Sequence, residues 1–188
     1  TISDTPSTAQ LYALDDSTTG SITSGSGGGG SGGGSGNNNT ITGTAAEVIE
    51  TLESKSSDYS GTITVTDANG TSITATNLSA IGAATTGTVT VTNAVNIIGD
   101  HDEVTAALVT ASTKVVVTDA TVTINDANAT AITATELSAI GAATTGTVTV
   151  TNAVTISGTT SELIDALITA SSKVCLLYTS PSPRDEKV

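Results

Sequence analysis

The chain has 188 residues, with 18 Asp and Glu against 5 Lys and Arg, one His, one Cys, three Tyr and no Phe, Trp or Met. A formal net charge of -13 and a pI near 4.1 exclude nucleic acid and anionic membrane surfaces as partners, because phosphate binding needs clustered cations. Almost no aromatic side chain is available to fill a globular interior, whereas Ser and Thr, about a third of the chain, suit thin layers of strands when mixed with Ala, Val, Ile and Leu. No apolar run approaches the roughly 18 residues that a membrane span requires, so membrane insertion is not expected. With neither an initiator Met nor a signal pattern, the chain reads as an internal piece of a longer protein.

In chain order, residues 1–23 read as a partial repeat, because Leu11–Thr23 aligns with Leu137–Thr149. Residues 24–39 are a loop insertion: Ser24–Gly36 holds only Gly and Ser, and Asn37, Asn38 and Asn39 follow. A phosphate-cradling loop would end in Gly-Lys-Ser/Thr, but the nearest Lys is Lys55, so the insertion reads as an extruded flexible loop. Residues 40–174 form the repeat array. Strands alternate Thr with apolar residues, at Thr62–Thr66, Thr88–Thr92, Thr121–Thr123 and Thr147–Thr151, so Val89 and Val91 share one face. After Thr88–Thr92 the pair Asn93-Ala94 makes a turn and Val95–Ile98 a second strand. Helix starts follow the capping-box pattern at Thr44 with Glu47, Asp100 with Glu103, Thr133 with Glu136 and Thr159 with Glu162, and Thr74 with Asn77 is a weaker version. The helices run about ten residues, with apolar stripes Val104, Ala107, Leu108, Ala111 and Leu163, Ala166, Leu167, Ala170.

Self-comparison finds a fixed period. Leu78–Val95 recurs without one change as Leu137–Val154, which sets a 59-residue period. The helix-start positions Leu78, Val104, Leu137 and Leu163 follow one another at offsets of 26, 33 and 26, so each period has two unequal halves. The longer half gains a Val-rich run, Lys114–Ala120, which predicts an additional strand. A unit of two strands and a helix supplies too few inward side chains to bury itself, so neighbouring units must complete its interior. The predicted fold is α/β, a right-handed parallel solenoid of stacked strand-strand-helix coils, with the four helix-start residues along a common axis. An immunoglobulin-like sandwich array fits less well, because sandwiches use core aromatics and have no place for a capped helix in every unit.

Few residues invite chemistry. Asp100, Asp102 and Glu103, beside the sole His101, are the candidate calcium ligands, although the matching positions Gly158–Glu162 and Gly43–Glu47 could hold no cation and favour capping instead. Asp67 and Asp126 are expected in Asx-turns. No cofactor and no catalytic residue is expected, since no Ser has a converging His and Asp. Four Asn-x-Ser/Thr sites, at Asn38, Asn69, Asn77 and Asn128, match chance for this composition. The Thr rows at 62, 64, 66, at 88, 90, 92, at 121, 123 and at 147, 149, 151 would stack into a hydroxyl lattice of the kind ice-binding solenoids present.

Capped short helices alternating with Thr-Val-Thr strands, as in Thr88–Ala111 and Thr147–Ala170, resemble the long low-aromatic arrays of giant bacterial adhesins and surface-layer-like proteins. The resemblance implies a non-enzymatic stalk or spacer in an extracellular or cell-surface setting, whose partners are neighbouring repeats of the same chain, with any host or surface glycan bound through further domains. Ice binding and calcium-stabilised adhesion are the alternatives. Residues 175–188 break the pattern, and Cys175–Asp185 looks like a translated transposon-type sequencing adapter, so these residues read as a non-native tail. Without Cys175 the chain has no thiol, and its redox compartment stays open.

Overall fold

The computed structural model describes residues 40–55, 59–110, 112, 114–169 and 173–177. The partial repeat at 1–23, the insertion at 24–39, Ala111, Ala170 and the tail beyond 177 lie outside the described residues. In chain order the elements are β1 (Thr40–Gly43), α1 (Ala45–Glu53), β2 (Thr62–Val65), β3 (Ser72–Thr74), α2 (Ala75–Ala83), β4 (Val89–Val91), β5 (Asn96–Gly99) and α3 (His101–Leu108). There follow β6 (Val115–Val117), β7 (Thr121–Ile124), β8 (Ala131–Thr133), α4 (Ala134–Ala142), β9 (Val148–Val150), β10 (Thr155–Ser157), α5 (Thr160–Leu167) and β11 (Val174–Leu176). The fold is α/β, and every pairing between these strands is parallel. No described helix is long and apolar enough to cross a membrane.

The helices begin where the capping pattern places them. Thr44, Asp100, Thr133 and Thr159 each close a full capping box with the Glu three residues on, and Thr74 accepts from the Asn77 amide alone. The helices are eight or nine residues long, too short to persist without packing. Gly43, Gly99 and Gly158 precede three of the boxes because a Cβ there would crowd the capping Glu side chain.

The strands form three sheets, ordered β1-β2-β4-β6, β3-β5-β7-β9-β11 and β8-β10. Inward residues make ladders: Ile41, Ile63, Val89 and Val115 in the first sheet, then Ile73, Ile97, Val122, Val148 and Val174 in the second. The pairings of Ile63 with Val89 and of Val122 with Val148 reproduce the shorter of the two offsets between helix starts. The inequality of the halves now has a structural cause. The additional strand is β6, which closes the first sheet beside β4, and the chain then crosses so that β7 pairs with β5 of the second sheet. The second sheet therefore takes β3 and β5 from one period and β7, β9 and β11 from the next. Periods join edge to edge through β5 and β7.

Two expectations about packing change. Leu78 and Leu137 are fully buried as expected, with Ile81 and Ile140 beside them, but Leu108 and Leu167 are only half-buried. Helices α3 and α5 end at those two residues, so the buried part of the stripe is Val104 with Ala107, and Ala166. Leu163 is half-buried while its counterpart Val104 is fully buried, because α3 packs between α2 and α4 whereas α5 packs on α4. At the far end, β11 shows that Cys175 and Leu176 occupy the strand positions of Val116 and Val117, with Cys175 exposed.

These burials predict a graded response in urea unfolding. Leu137→Ala is expected to cost about 3 kcal/mol through lost burial and a residual cavity, and Leu163→Ala roughly half that. Equal costs at the two positions would contradict the packing described.

Candidate functional site

Consecutive helices pack on one another, and a recurring set of polar side chains joins segments distant in sequence. Asp67 accepts the Ala45 amide of α1 through Oδ2 at 2.7 Å, and Asp126 accepts the His101 amide of α3 at 2.9 Å. These aspartates were expected to form local Asx-turns. The structure instead uses them to satisfy the first free N–H of a helix 22 or 25 residues earlier in the chain. Asn69 and Asn128 accept the amides of Ala94 and Ala153 at 3.0 and 3.2 Å, while Asn93 and Asn152 donate to the carbonyls of Asp67 and Asp126 at 2.7 Å. Sequence reasoning missed this network because each bond joins residues 22 to 26 positions apart. The signal available was that Asp67, Asn69 and Asn93 recur as Asp126, Asn128 and Asn152 at the period of the array.

Asp100, Asp102 and Glu103 do not converge as a ligand set. The Glu103 amide donates to Asp100 Oδ1 at 2.8 Å and the Asp100 amide to Glu103 Oε2 at 3.1 Å, so both carboxylates are committed to the capping box. Asp102 turns elsewhere, and among the described residues it is His101, Asp102 and Glu136 that bring one ligand atom each within 4.8 Å of one another. Glu136 comes from α4, the next helix in the stack, and was seen from the sequence only as a capping residue.

His101 is the buried member of this group, 9 % exposed. Its Nδ1 lies 2.7 Å from Asp126 Oδ1, and its Nε2 lies 3.5 Å from Asp102 Oδ1. Burial opposes the charged imidazole, but the hydrogen bond and charge of Asp126, with the charges of Asp102 and Glu136, outweigh it and raise the pKa above 6.5. Chemically this is an imidazole oriented by one carboxylate and approached by two more, which suits holding a proton or a cation. Acyl transfer would instead need a hydroxyl or thiol nucleophile at the ring. No protein-family model, curated protein or solved structure matches the chain.

The capping carboxylates carry a pH signature. Glu136 is held below 4.5 by hydrogen bonds from the Thr133 amide and hydroxyl, and Glu162 likewise by Thr159. A carboxylate whose folded pKa is depressed adds stability above its unfolded value, and that stability is lost as pH falls through the lower folded value. Urea midpoints are therefore expected to hold steady above about pH 5 and to drop below about pH 4.5. Glu162→Gln keeps a capping residue that cannot titrate, and should flatten the contribution of α5 to this acid limb. An acid limb unchanged by that substitution would contradict the assignment.

Proposed function

We propose that the chain is a structural spacer: a parallel α/β solenoid segment, built on the 59-residue period, within a large extracellular or cell-surface bacterial protein, and without a reaction of its own. One observation carries this reading. The polar side chains that recur with the period, Asp67 and Asp126, Asn69 and Asn128, Asn93 and Asn152, all bond from one coil to another. The hydroxyls of Thr92 and Thr151 do the same, donating to the carbonyls of Val65 and Ile124 at 3.1 Å. A chain that repeats its joints and does not repeat a cluster of reactive groups is suited to transmitting position and force. The setting outside the cell rests on the likeness of Thr88–Ala111 and Thr147–Ala170 to adhesin and surface-layer-like arrays.

The Thr rows give less support to ice binding. In the first sheet Thr42, Thr64 and Thr90 stand in register, but the row continues into Val116. In the second sheet Ile98 and Cys175 interrupt Thr74, Thr123 and Thr149. An ice-matching surface needs a longer regular lattice than three rungs.

In the spacer reading, each period advances the stack by two strand layers of about 4.8 Å, or about 10 Å in all. Chains with one, two and three additional copies of residues 62–120 inserted after Ala120, studied by small-angle X-ray scattering, should lengthen by about 10 Å per copy at constant cross-section. A radius of gyration that grows only as the cube root of mass would contradict a spacer and favour collapse into separate globules.

A further inference from the structure

The repeat provides a reference for every position at the helix starts. The Glu at the third position of α3, Glu103, accepts through Oε1 from Thr76 Oγ1 at the second position of α2, at 3.0 Å. The same rung joins α5 to α4, where Thr135 Oγ1 donates to Glu162 Oε1 at 3.4 Å. Between α3 and α4 the rung is different. Glu136 stands at the third position of α4 with its Oε2 bonded to Thr133, and the second position of α3 is Asp102. A carboxylate thus stands where the α2–α3 and α4–α5 junctions place a donor hydroxyl, while the junction between α1 and α2 has Ala46 and Asn77 at these positions. Two facing carboxylates are destabilising unless a cation lies between them.

The ring of His101 stands beside this pair. Its counterparts at the first position of the other capped helices are Ala45, Ala75, Ala134 and Thr160, which offer no ligand nitrogen. Asp126 accepts from Nδ1–H, which orients the ring and turns Nε2 toward Asp102. Nε2 makes no hydrogen bond among the described residues and faces Asp102 Oδ1 at 3.5 Å, an ion pair when the ring is protonated. A carboxylate behind a histidine whose other nitrogen meets further carboxylates is the second-shell pattern of metal-bound imidazole.

We propose that His101, Asp102 and Glu136 form a binding site for a divalent transition-metal ion, with Asp126 as the positioning residue for the imidazole. Ligands of a tetrahedral zinc ion with bonds near 2.0–2.1 Å lie about 3.4 Å apart. The separation of His101 Nε2 from Asp102 Oδ1 is already 3.5 Å. Asp102 is largely exposed and free to adjust, and Glu136 Oε1 is the oxygen not committed to the capping box. One nitrogen and two carboxylate oxygens suit zinc or manganese, whereas calcium favours six to eight oxygen ligands. The site joins the N-termini of α3 and α4, the point where one 59-residue period meets the next, so the ion would tie two periods together.

The test uses the full chain with Cys175→Ser, which removes the exposed thiol as a rival ligand, stripped of metal and titrated with Zn2+ by calorimetry at neutral pH. A second chain adds His101→Thr and Asp102→Ser, which installs the residues found at Thr160 and Ser161 of α5 and leaves the Asp100–Glu103 capping box in place. Expected is one Zn2+ per chain, weakened at least about thirtyfold in the doubly substituted chain, with Asp126→Asn weakening it about tenfold. An equal concentration of Ca2+ should not displace the zinc. Because His101 is the sole histidine, its ring nitrogens give an unambiguous NMR signal, and Zn2+ should shift Nε2 and leave Nδ1 bonded to Asp126. Absence of zinc uptake, equal uptake by the doubly substituted chain, or an unmoved Nε2 resonance would overturn the proposal.

Discussion

Backbone pairing between strands that cannot stand alone is the constraint on which the rest of this structure depends. Each described strand is three or four residues long, and each is paired in parallel with another strand, as Thr40 is with Thr62 and Val122 with Val148. A segment this short forms few hydrogen bonds and buries one or two side chains, which does not offset the entropy of fixing it. Stacking changes the balance, because every added strand completes the backbone bonds of its neighbour and extends the Ile and Val ladder. Small side chains are then an advantage, since they let helices, sheets and turns approach closely without aromatic filler. Gly87 and Gly146 illustrate the closeness, as a Cβ at either would collide with backbone, at Gly61 and Ala120 respectively.

The local grammar of the fold was legible in the sequence. Capping boxes at Thr44, Asp100, Thr133 and Thr159 appear as a polar residue followed three places on by Glu, and they declare helix starts to within a residue or two. Alternation in Thr88–Thr92 gives the face of β4, with Val89 and Val91 inward. The additional strand predicted within Lys114–Ala120 is present as β6. What local pattern could not supply was the identity of each strand's partner. β7 shares its Thr-Val-Thr character with the strands of its own period, yet it pairs with β5 of the period before.

The same distinction governs the candidate site. Asp100, Asp102 and Glu103 are adjacent in sequence, but their place at a helix start sends Asp100 and Glu103 to each other and Asp102 outward. The group that does converge draws on Glu136 from the next helix and is buttressed by Asp126 from the strand-to-strand loop between β7 and β8. Asp126 was visible as a residue that matches Asp67 across the period, and its role only becomes clear once α3 lies beside the loop that carries it. Among the described junctions between helices, the one between α3 and α4 brings a buried histidine to facing carboxylates.

The central claim is that consecutive periods share a sheet and support each other through it, with β7 held between β5 and β9. Hydrogen–deuterium exchange of the chain carrying Val122→Asp, compared with the unsubstituted chain, tests this most directly, because the new carboxylate is buried at the shared strand without a partner. The account predicts that protection falls together in Asn96–Gly99 and Val148–Val150, on both sides of the substituted strand and in two different periods. Loss confined to residues 121–133, with β5 and β9 protected as before, would contradict it.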